Sequence, residues 1–134
     1  MEERVLRAAT RAQLKTNLSL STHQSEGTVA LEQLAILEEE GVDLRRVICS
    51  HVNTYPHHEY HAALATKGAY VSMEGLGSRQ PVDAEREMEM MLAMINNGFI
   101  EHLLLSHDVC VKPMYTCYGG GGATNSSREP VSER

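Results

Sequence analysis

The sequence predicts an α/β protein with a parallel sheet of four strands. Helical patterns of apolar residues alternate four times with short apolar strand patterns between residues 3 and 108, with only a few residues in each connection. Such alternation is typical of parallel strands joined by right-handed helical crossovers. The pattern fits both a small doubly wound domain and half of an eight-stranded barrel, and periodicity alone does not choose between them.

Each predicted helix carries apolar residues three and four positions apart and ends at a residue that tolerates a left-handed backbone. These ends are Asn17, Gly41, Gly68 and the Asn97-Gly98 pair. Thr28 and Asp83 are the expected N-terminal caps of the second and fourth helices. The predicted helices cover about residues 5–16, 28–40, 57–66 and 83–96, and the predicted strands cover residues 18–22, 46–50, 69–73 and 102–106.

Composition narrows the classes of partner. The formal net charge of −6 argues against a nucleic-acid partner, because phosphate contacts require a basic surface. No apolar stretch is long enough to span a bilayer, and the first residues lack the apolar run of a secretory signal. The three cysteines, Cys49, Cys110 and Cys117, cannot all pair within the chain, so we expect ordinary reduced thiols in a cytoplasmic protein.

Side chains that can bind a metal follow the predicted strands. His23 and His51 end the first two strands, Glu74 follows the third, and His107-Asp108 follows the fourth. Carboxyl ends of parallel strands meet at one edge of the sheet, where active sites of such folds lie. A single histidine in this position is more often a solvated loop residue. Its recurrence at several strand ends favours a site for zinc or a similar divalent ion, which would activate water as a nucleophile.

A second group of histidines, His57, His58 and His61, begins the third predicted helix. His57 and His61 are four residues apart and could bind a metal weakly. A solvated helix face is the favoured interpretation.

The segments that end in these residues also resemble one protein family, in unbroken order. They are residues 3–23 ending in Ser-Leu-Ser-Thr-His, residues 27–51 ending in Val-Ile-Cys-Ser-His, residues 67–77 with Val-Ser-Met-Glu-Gly-Leu-Gly, and residues 103–108 with Leu-Leu-Leu-Ser-His-Asp, followed by Lys112 and Tyr118-Gly-Gly120. Together they resemble strands five to eight, with the preceding helices, of the phosphotriesterase family.

The resemblance implies a fold and a class of reaction. The expected fold is the C-terminal half of a (β/α)8 TIM barrel of the amidohydrolase type, incomplete, over residues 1–118, with a glycine-rich disordered tail over residues 119–134. Members of the family hydrolyse organophosphate triesters, lactones or related esters and amides. They use two divalent metals, usually zinc, bridged by a carboxylated lysine. The implied partner is a small ester or lactone, with neither nucleic acid nor membrane.

The resemblance also implies roles for three residues. His23 and His51 would bind one metal, and Asp108 would bind the other and handle the proton of the hydroxide. The family's His-x-His pair of strand one and lysine of strand four have no counterpart in this sequence. Asn53 stands where the family commonly has an aspartate that helps to relay a proton.

Two functions therefore remain open. The chain is part of a metal-dependent ester hydrolase, or it is an inactive remnant or one half of a split barrel that needs an N-terminal partner. Half a barrel is expected to expose two sheet edges and an apolar inner face, which a second copy could cover. We expect negligible hydrolysis by this chain alone, because half of the implied metal ligands are absent.

Overall fold

The computed structural model describes residues 2–75 and 81–120. The helices are α1 (Glu2–Thr16), α2 (Ala30–Glu39), α3 (His58–Thr66) and α4 (Pro81–Asn96), and the strands are β1 (Leu20–His23), β2 (Val47–Ser50), β3 (Tyr70–Met73) and β4 (Leu103–Leu105). Short 3₁₀ turns occupy several connections, among them Ser25–Gly27 after β1 and Val52–Thr54 after β2. The predicted alternation of helix and strand is confirmed. Most of the predicted tail, from residue 121 onward, lies outside the described residues.

The four strands form one sheet in the order β1-β2-β3-β4, and every pairing is parallel. Thr22 pairs with Cys49, Cys49 with Val71, and Val71 with Leu103, so one row crosses the whole sheet. This sequential parallel order places all four carboxyl ends along the same edge. The predicted α/β class and the parallel sheet are confirmed.

The core lies between the helices and one face of the sheet. The fully buried large side chains of this layer include Leu34 and Leu37 of α2, Leu64 of α3, Met90 and Met94 of α4, and Val47, Val71 and Met73 of the strands. Burial of each such side chain contributes about 1.5–3 kcal/mol. The sheet is therefore held firmly from its helical side.

The other face of the sheet is more polar than expected. Alternation along the strands places Ser21, Ser50 and Ser72 on this face, beside Ile48 and Tyr70. The hydroxyl oxygens of Ser21 and Ser50 lie 2.9 Å apart, within hydrogen-bond distance. The inner face is therefore mixed and not uniformly apolar, because small hydroxyl side chains alternate with Ile48, Tyr70 and Leu104.

Helix ends match the sequence better than helix starts. Asn17, Gly41, Gly68 and Gly98 have φ angles of 58°, 90°, 95° and 80°, which confirms the predicted left-handed stops. Thr28 is not the cap of α2. The first amides of that helix, those of Ala30 and Leu31, instead donate to the Tyr60 hydroxyl at 2.8 and 3.3 Å.

The start of the fourth helix also differs from the prediction. α4 begins at Pro81, so Asp83 lies within its first turn instead of preceding it. Proline suits the first position of a helix because it lacks the amide hydrogen that would there have no partner within the helix.

Candidate metal centre

Donor side chains follow each strand at the carboxyl edge of the sheet. His23 is the last residue of β1, His51 follows β2 directly, and Glu74 follows β3 directly. Asp108 lies in the loop after β4. Sequential parallel strands thus bring together residues that are up to 85 positions apart in the sequence.

Three of these residues form a compact group. Ligand atoms of His51, Glu74 and Asp108 all lie within 4.8 Å of one another. The His51 Nε2 atom is 3.2 Å from a carboxylate oxygen of Glu74, and both side chains are largely shielded, at 18% and 15% exposure. Partial exclusion of water strengthens the attraction that such a group exerts on a cation.

The donor chemistry of this group fits a divalent metal. Imidazole and carboxylate are common ligands of zinc, and ligand atoms on a tetrahedral ion with bonds of about 2.0–2.2 Å lie about 3.4 Å apart. The 4.8 Å limit of the group exceeds that spacing by about 1.4 Å, so the side chains would have to move closer together to share one ion. His51, Glu74 and Asp108 could therefore hold one ion, with His23 as a further donor beside them.

His23 lies next to the group without belonging to it. Its ring meets the His51 ring edge-on, with centroids 4.6 Å apart and an angle of 65° between the planes. The His23 side chain is exposed. Of the three predicted site residues, the structure groups His51 with Asp108 and places His23 against His51. It adds Glu74, which the sequence marked only as the acid at the end of the third strand.

Both His51 and Asp108 have a left-handed backbone, with φ angles of 60° and 49°. Residues with a Cβ rarely adopt this conformation, which costs about 1 kcal/mol or more. At His51 it is supported locally, since the Thr54 hydroxyl donates to the His51 carbonyl at 2.7 Å. The sharp turn directs the chain out of the strand immediately after the ligand residue.

The two histidine loops pack closely against each other. A Cβ atom added to Gly27 would lie 2.9 Å from the Tyr55 Cβ and 3.0 Å from the Thr54 hydroxyl. Gly27 also has a φ of 68°. Glycine at this position allows the loop after His23 to approach the turn after His51.

His61 corrects the interpretation of the second histidine group. His57 and His58 are exposed, as expected of a solvated helix face, but the His61 side chain is fully buried. Its Nε2 atom lies 3.0 Å from the Val52 carbonyl oxygen. Burial lowers the pKa of His61, and the nearby His58 and His57 lower it further. The neutral ring donates to the backbone of the turn that follows His51.

The three cysteines are unpaired, as predicted. Cys49 is buried in β2, and burial raises the pKa of its thiol to about 12. A thiolate at Cys49 is therefore strongly disfavoured at neutral pH. Cys110 and Cys117 lie exposed in the segment after β4.

A parallel α/β unit with imidazole and carboxylate donors at its strand ends is typical of hydrolases built on (β/α)8 barrels. The sequence profile of the phosphotriesterase family matches residues 1–125, and the chain belongs to this family. The predicted family is confirmed. Among the helices of the described part, none combines the length and the apolar character needed to cross a membrane.

Relatives of the chain are considerably longer than the chain itself. The phosphotriesterase homology protein of Escherichia coli is 33% identical over 122 residues, which cover 91% of this chain and 42% of that protein. The aryldialkylphosphatase of Saccharolobus solfataricus is 30% identical, with 81% and 35% covered. A lactonase structure from Listeria monocytogenes superimposes with a TM-score of 0.87 at 30% identity, over 92% of this chain and 38% of the lactonase. The chain thus spans about two fifths of these relatives, which is consistent with a partial barrel.

Proposed function

We propose that this chain supplies the C-terminal part of the active site of a metal-dependent hydrolase that cleaves ester bonds in small molecules such as organophosphate triesters or lactones. The observation that carries the proposal is the group of His51, Glu74 and Asp108 at the carboxyl edge of the sheet, with ligand atoms within 4.8 Å of one another. Its support in sequence is the family match over residues 1–125.

His23 and His51 are proposed to bind one divalent ion, and Asp108 to bind a second or shared ion. Zn²⁺ is the proposed ion because it accepts both imidazole nitrogen and carboxylate oxygen donors. When bound, it would supply Lewis-acid activation of water near neutral pH. The Asp108 carboxylate would accept the proton that the attacking water loses. Glu74, at 3.2 Å from His51 Nε2, would orient the imidazole or join the ligands.

The half-barrel geometry limits what this chain does alone. Its donors come from the ends of β1 to β4, which resemble strands five to eight of the family barrel. The resemblance implies further metal ligands on the first and fourth strands of that barrel, and these ligands have no counterpart in this chain. Among the described residues, β1 and β4 each pair with only one neighbour in the sheet. We therefore propose that turnover requires an N-terminal half of the barrel, supplied by another chain. Without such a partner, the isolated chain would be an inactive fragment. A second copy would cover the edges but would not add the missing ligand types. A cytoplasmic location stays a prediction.

A reconstitution assay tests this function. The purified chain is assayed with paraoxon and a γ-lactone in the presence of Zn²⁺, alone and together with the N-terminal part of the E. coli relative. We expect negligible hydrolysis by the chain alone and chelator-sensitive hydrolysis after reconstitution, which Asp108→Asn abolishes. His58→Asn, at an exposed helix position, is the matched control and should retain the activity. Hydrolysis that is indifferent to chelator or to Asp108→Asn would contradict the proposal.

A further inference from the structure

Asn53 joins the turn after His51 to the residue that follows β3. Its side-chain oxygen accepts a hydrogen bond from the Glu74 backbone amide at 3.1 Å, and its side-chain nitrogen donates to the Glu74 carbonyl at 2.8 Å. One carboxamide thus satisfies both backbone groups of Glu74. Asn53 is only 4% exposed, so water competes little for these bonds.

The same carboxamide is also anchored from the helical layer. Its nitrogen lies 3.2 Å from a carboxylate oxygen of Glu87, which belongs to α4 and is 5% exposed. Asn53 therefore links three segments: the His51 turn, the end of β3 and α4.

The Glu74 carboxylate is oriented by its own contacts. The Ser72 hydroxyl donates to one carboxylate oxygen at 2.9 Å, while the other oxygen lies 3.2 Å from His51 Nε2. With its backbone held by Asn53 and its carboxylate held by Ser72, Glu74 has little freedom to turn away from His51.

We propose that Asn53 is a positioning residue of the candidate metal centre, whose carboxamide fixes the backbone of Glu74 so that the Glu74 carboxylate meets the His51 imidazole. The expected effect of Asn53 on metal affinity rests on the proposed function, whereas its effect on the position of Glu74 does not. A carboxamide does not gain or lose a proton as an acid or base near neutral pH, so Asn53 contributes geometry and does not act as a general base.

The position requires a donor and an acceptor on the same planar group. Aspartate has nearly the same shape but offers only acceptors when ionised. In Asn53→Asp, a carboxylate oxygen would face the Glu74 carbonyl oxygen and a carboxyl oxygen of Glu87, and an ionised aspartate could donate to neither of them. The paired hydrogen bonds between residue 53 and the Glu74 backbone should therefore be disrupted, although the side-chain volume is conserved.

The first test uses the full chain without metal. In Asn53→Ala and Asn53→Asp, we expect hydrogen exchange at the Glu74 amide to accelerate at least about tenfold, because its acceptor is lost or displaced. The nuclear Overhauser effect between the His51 ring and the Glu74 side chain should weaken in parallel. Exchange at the Val71 amide, inside β3, reports whether the sheet is intact. Asn97→Asp, at an exposed loop position, is the matched control.

The second test measures Co²⁺ binding by the visible spectrum, with Co²⁺ as the probe for zinc. Loss of a residue that orients metal ligands commonly weakens metal affinity about 10–100-fold. We expect a loss of this size, with an altered spectrum, in both Asn53 variants and no change in Asn97→Asp.

The outcomes separate the two proposals. If the native chain binds no Co²⁺, the proposed metal function fails, while the exchange and Overhauser measurements still decide whether Asn53 positions Glu74. A purely structural role would lower the melting temperature yet leave the His51–Glu74 Overhauser effect, the Co²⁺ affinity and the spectrum of the folded variants unchanged. That result would overturn the positioning role of Asn53.

Discussion

His51 shows how the site depends on single residues that hold the backbone in an unusual conformation. Its φ of 60° is supported by the Thr54 hydroxyl at 2.7 Å, and the next carbonyl, that of Val52, lies 3.0 Å from buried His61. Neither supporting residue belongs to the group of metal donors. The ligand geometry therefore depends on residues that are identifiable only from the structure.

His61 should make the stability of the fold sensitive to acid. Burial lowers the pKa of His61 below the ordinary 6.5. As the pH falls, the unfolded chain therefore protonates His61 at a higher pH than the folded chain does. The free energy of unfolding should therefore fall as the pH drops below about 6.5. Urea denaturation between pH 7.5 and 5 should show a steeper loss in the native chain than in His61→Gln. His58→Gln changes an exposed histidine that contributes only a minor part of the lowering of the His61 pKa, so it should keep most of the native slope. Equal slopes in the native chain and His61→Gln would contradict this account.

Gly27 offers a test of the contact between the two histidine loops. Gly27→Ala should cost about 2–3 kcal/mol, from left-handed strain and from overlap with Tyr55. Gly41→Ala is the matched control, because Gly41 has a φ of 90° and an added Cβ would meet nothing within 4 Å. Strain alone should cost it about 1 kcal/mol. Equal losses in thermal or urea denaturation would show that the close approach at Gly27 contributes nothing.

At the scale of elements, helix ends could be predicted more reliably than helix starts, because the expected caps of α2 and α4 were wrong while the start of α3 was predicted to within one residue. The ends at Asn17, Gly41 and Gly68 depend on a local property, the tolerance of each residue for a left-handed backbone. The start of α2 depends on the Tyr60 hydroxyl, which is 30 positions away from Ala30 in the sequence. A local pattern such as Thr28 before an apolar stretch carries no information about so distant a partner.

Tyr60→Phe should accordingly destabilise the start of α2. Removal of the hydroxyl leaves the amides of Ala30 and Leu31 without this acceptor, with an expected loss of about 1–2 kcal/mol. Tyr115→Phe, at an exposed position, is the control and should change the free energy of unfolding little. Amide exchange at Ala30 and Leu31 should accelerate in Tyr60→Phe alone. Unchanged exchange there would mean that the tyrosine does not cap the helix.

At the scale of the whole molecule, the sequence predicts where the site lies better than how it is built. Alternating helices and strands imply a common carboxyl edge, which marks His23, His51, Glu74 and the pair His107-Asp108 as candidates. The choice of His23, His51 and Asp108 among them rests on the family resemblance. The link from Asn53 to Glu74 and Glu87 spans up to 34 positions and depends on the relative placement of two strands and a helix. No periodicity encodes that placement. The roles of the three predicted residues at a metal stay predictions.

The two outer strands of the described sheet bear on how the chain associates. It spans about two fifths of its relatives, and its sheet has outer strands β1 and β4 with one neighbour each in the described part. Unpaired strand edges readily recruit another chain. Size-exclusion chromatography with light scattering of the purified chain should therefore find an oligomer. A stable monomer at high concentration would show that these strand edges are adequately shielded.

The central claim is that the carboxyl edge of this four-stranded sheet binds a divalent metal through the chain's own residues. Zn²⁺ binding by the purified full chain, measured by competition with a chromophoric chelator, tests it most directly. The account requires specific binding that weakens at least about tenfold in His51→Ala and in Asp108→Ala and is unchanged in His58→Ala. Absence of Zn²⁺ binding, or equal binding in all three variants, would contradict it.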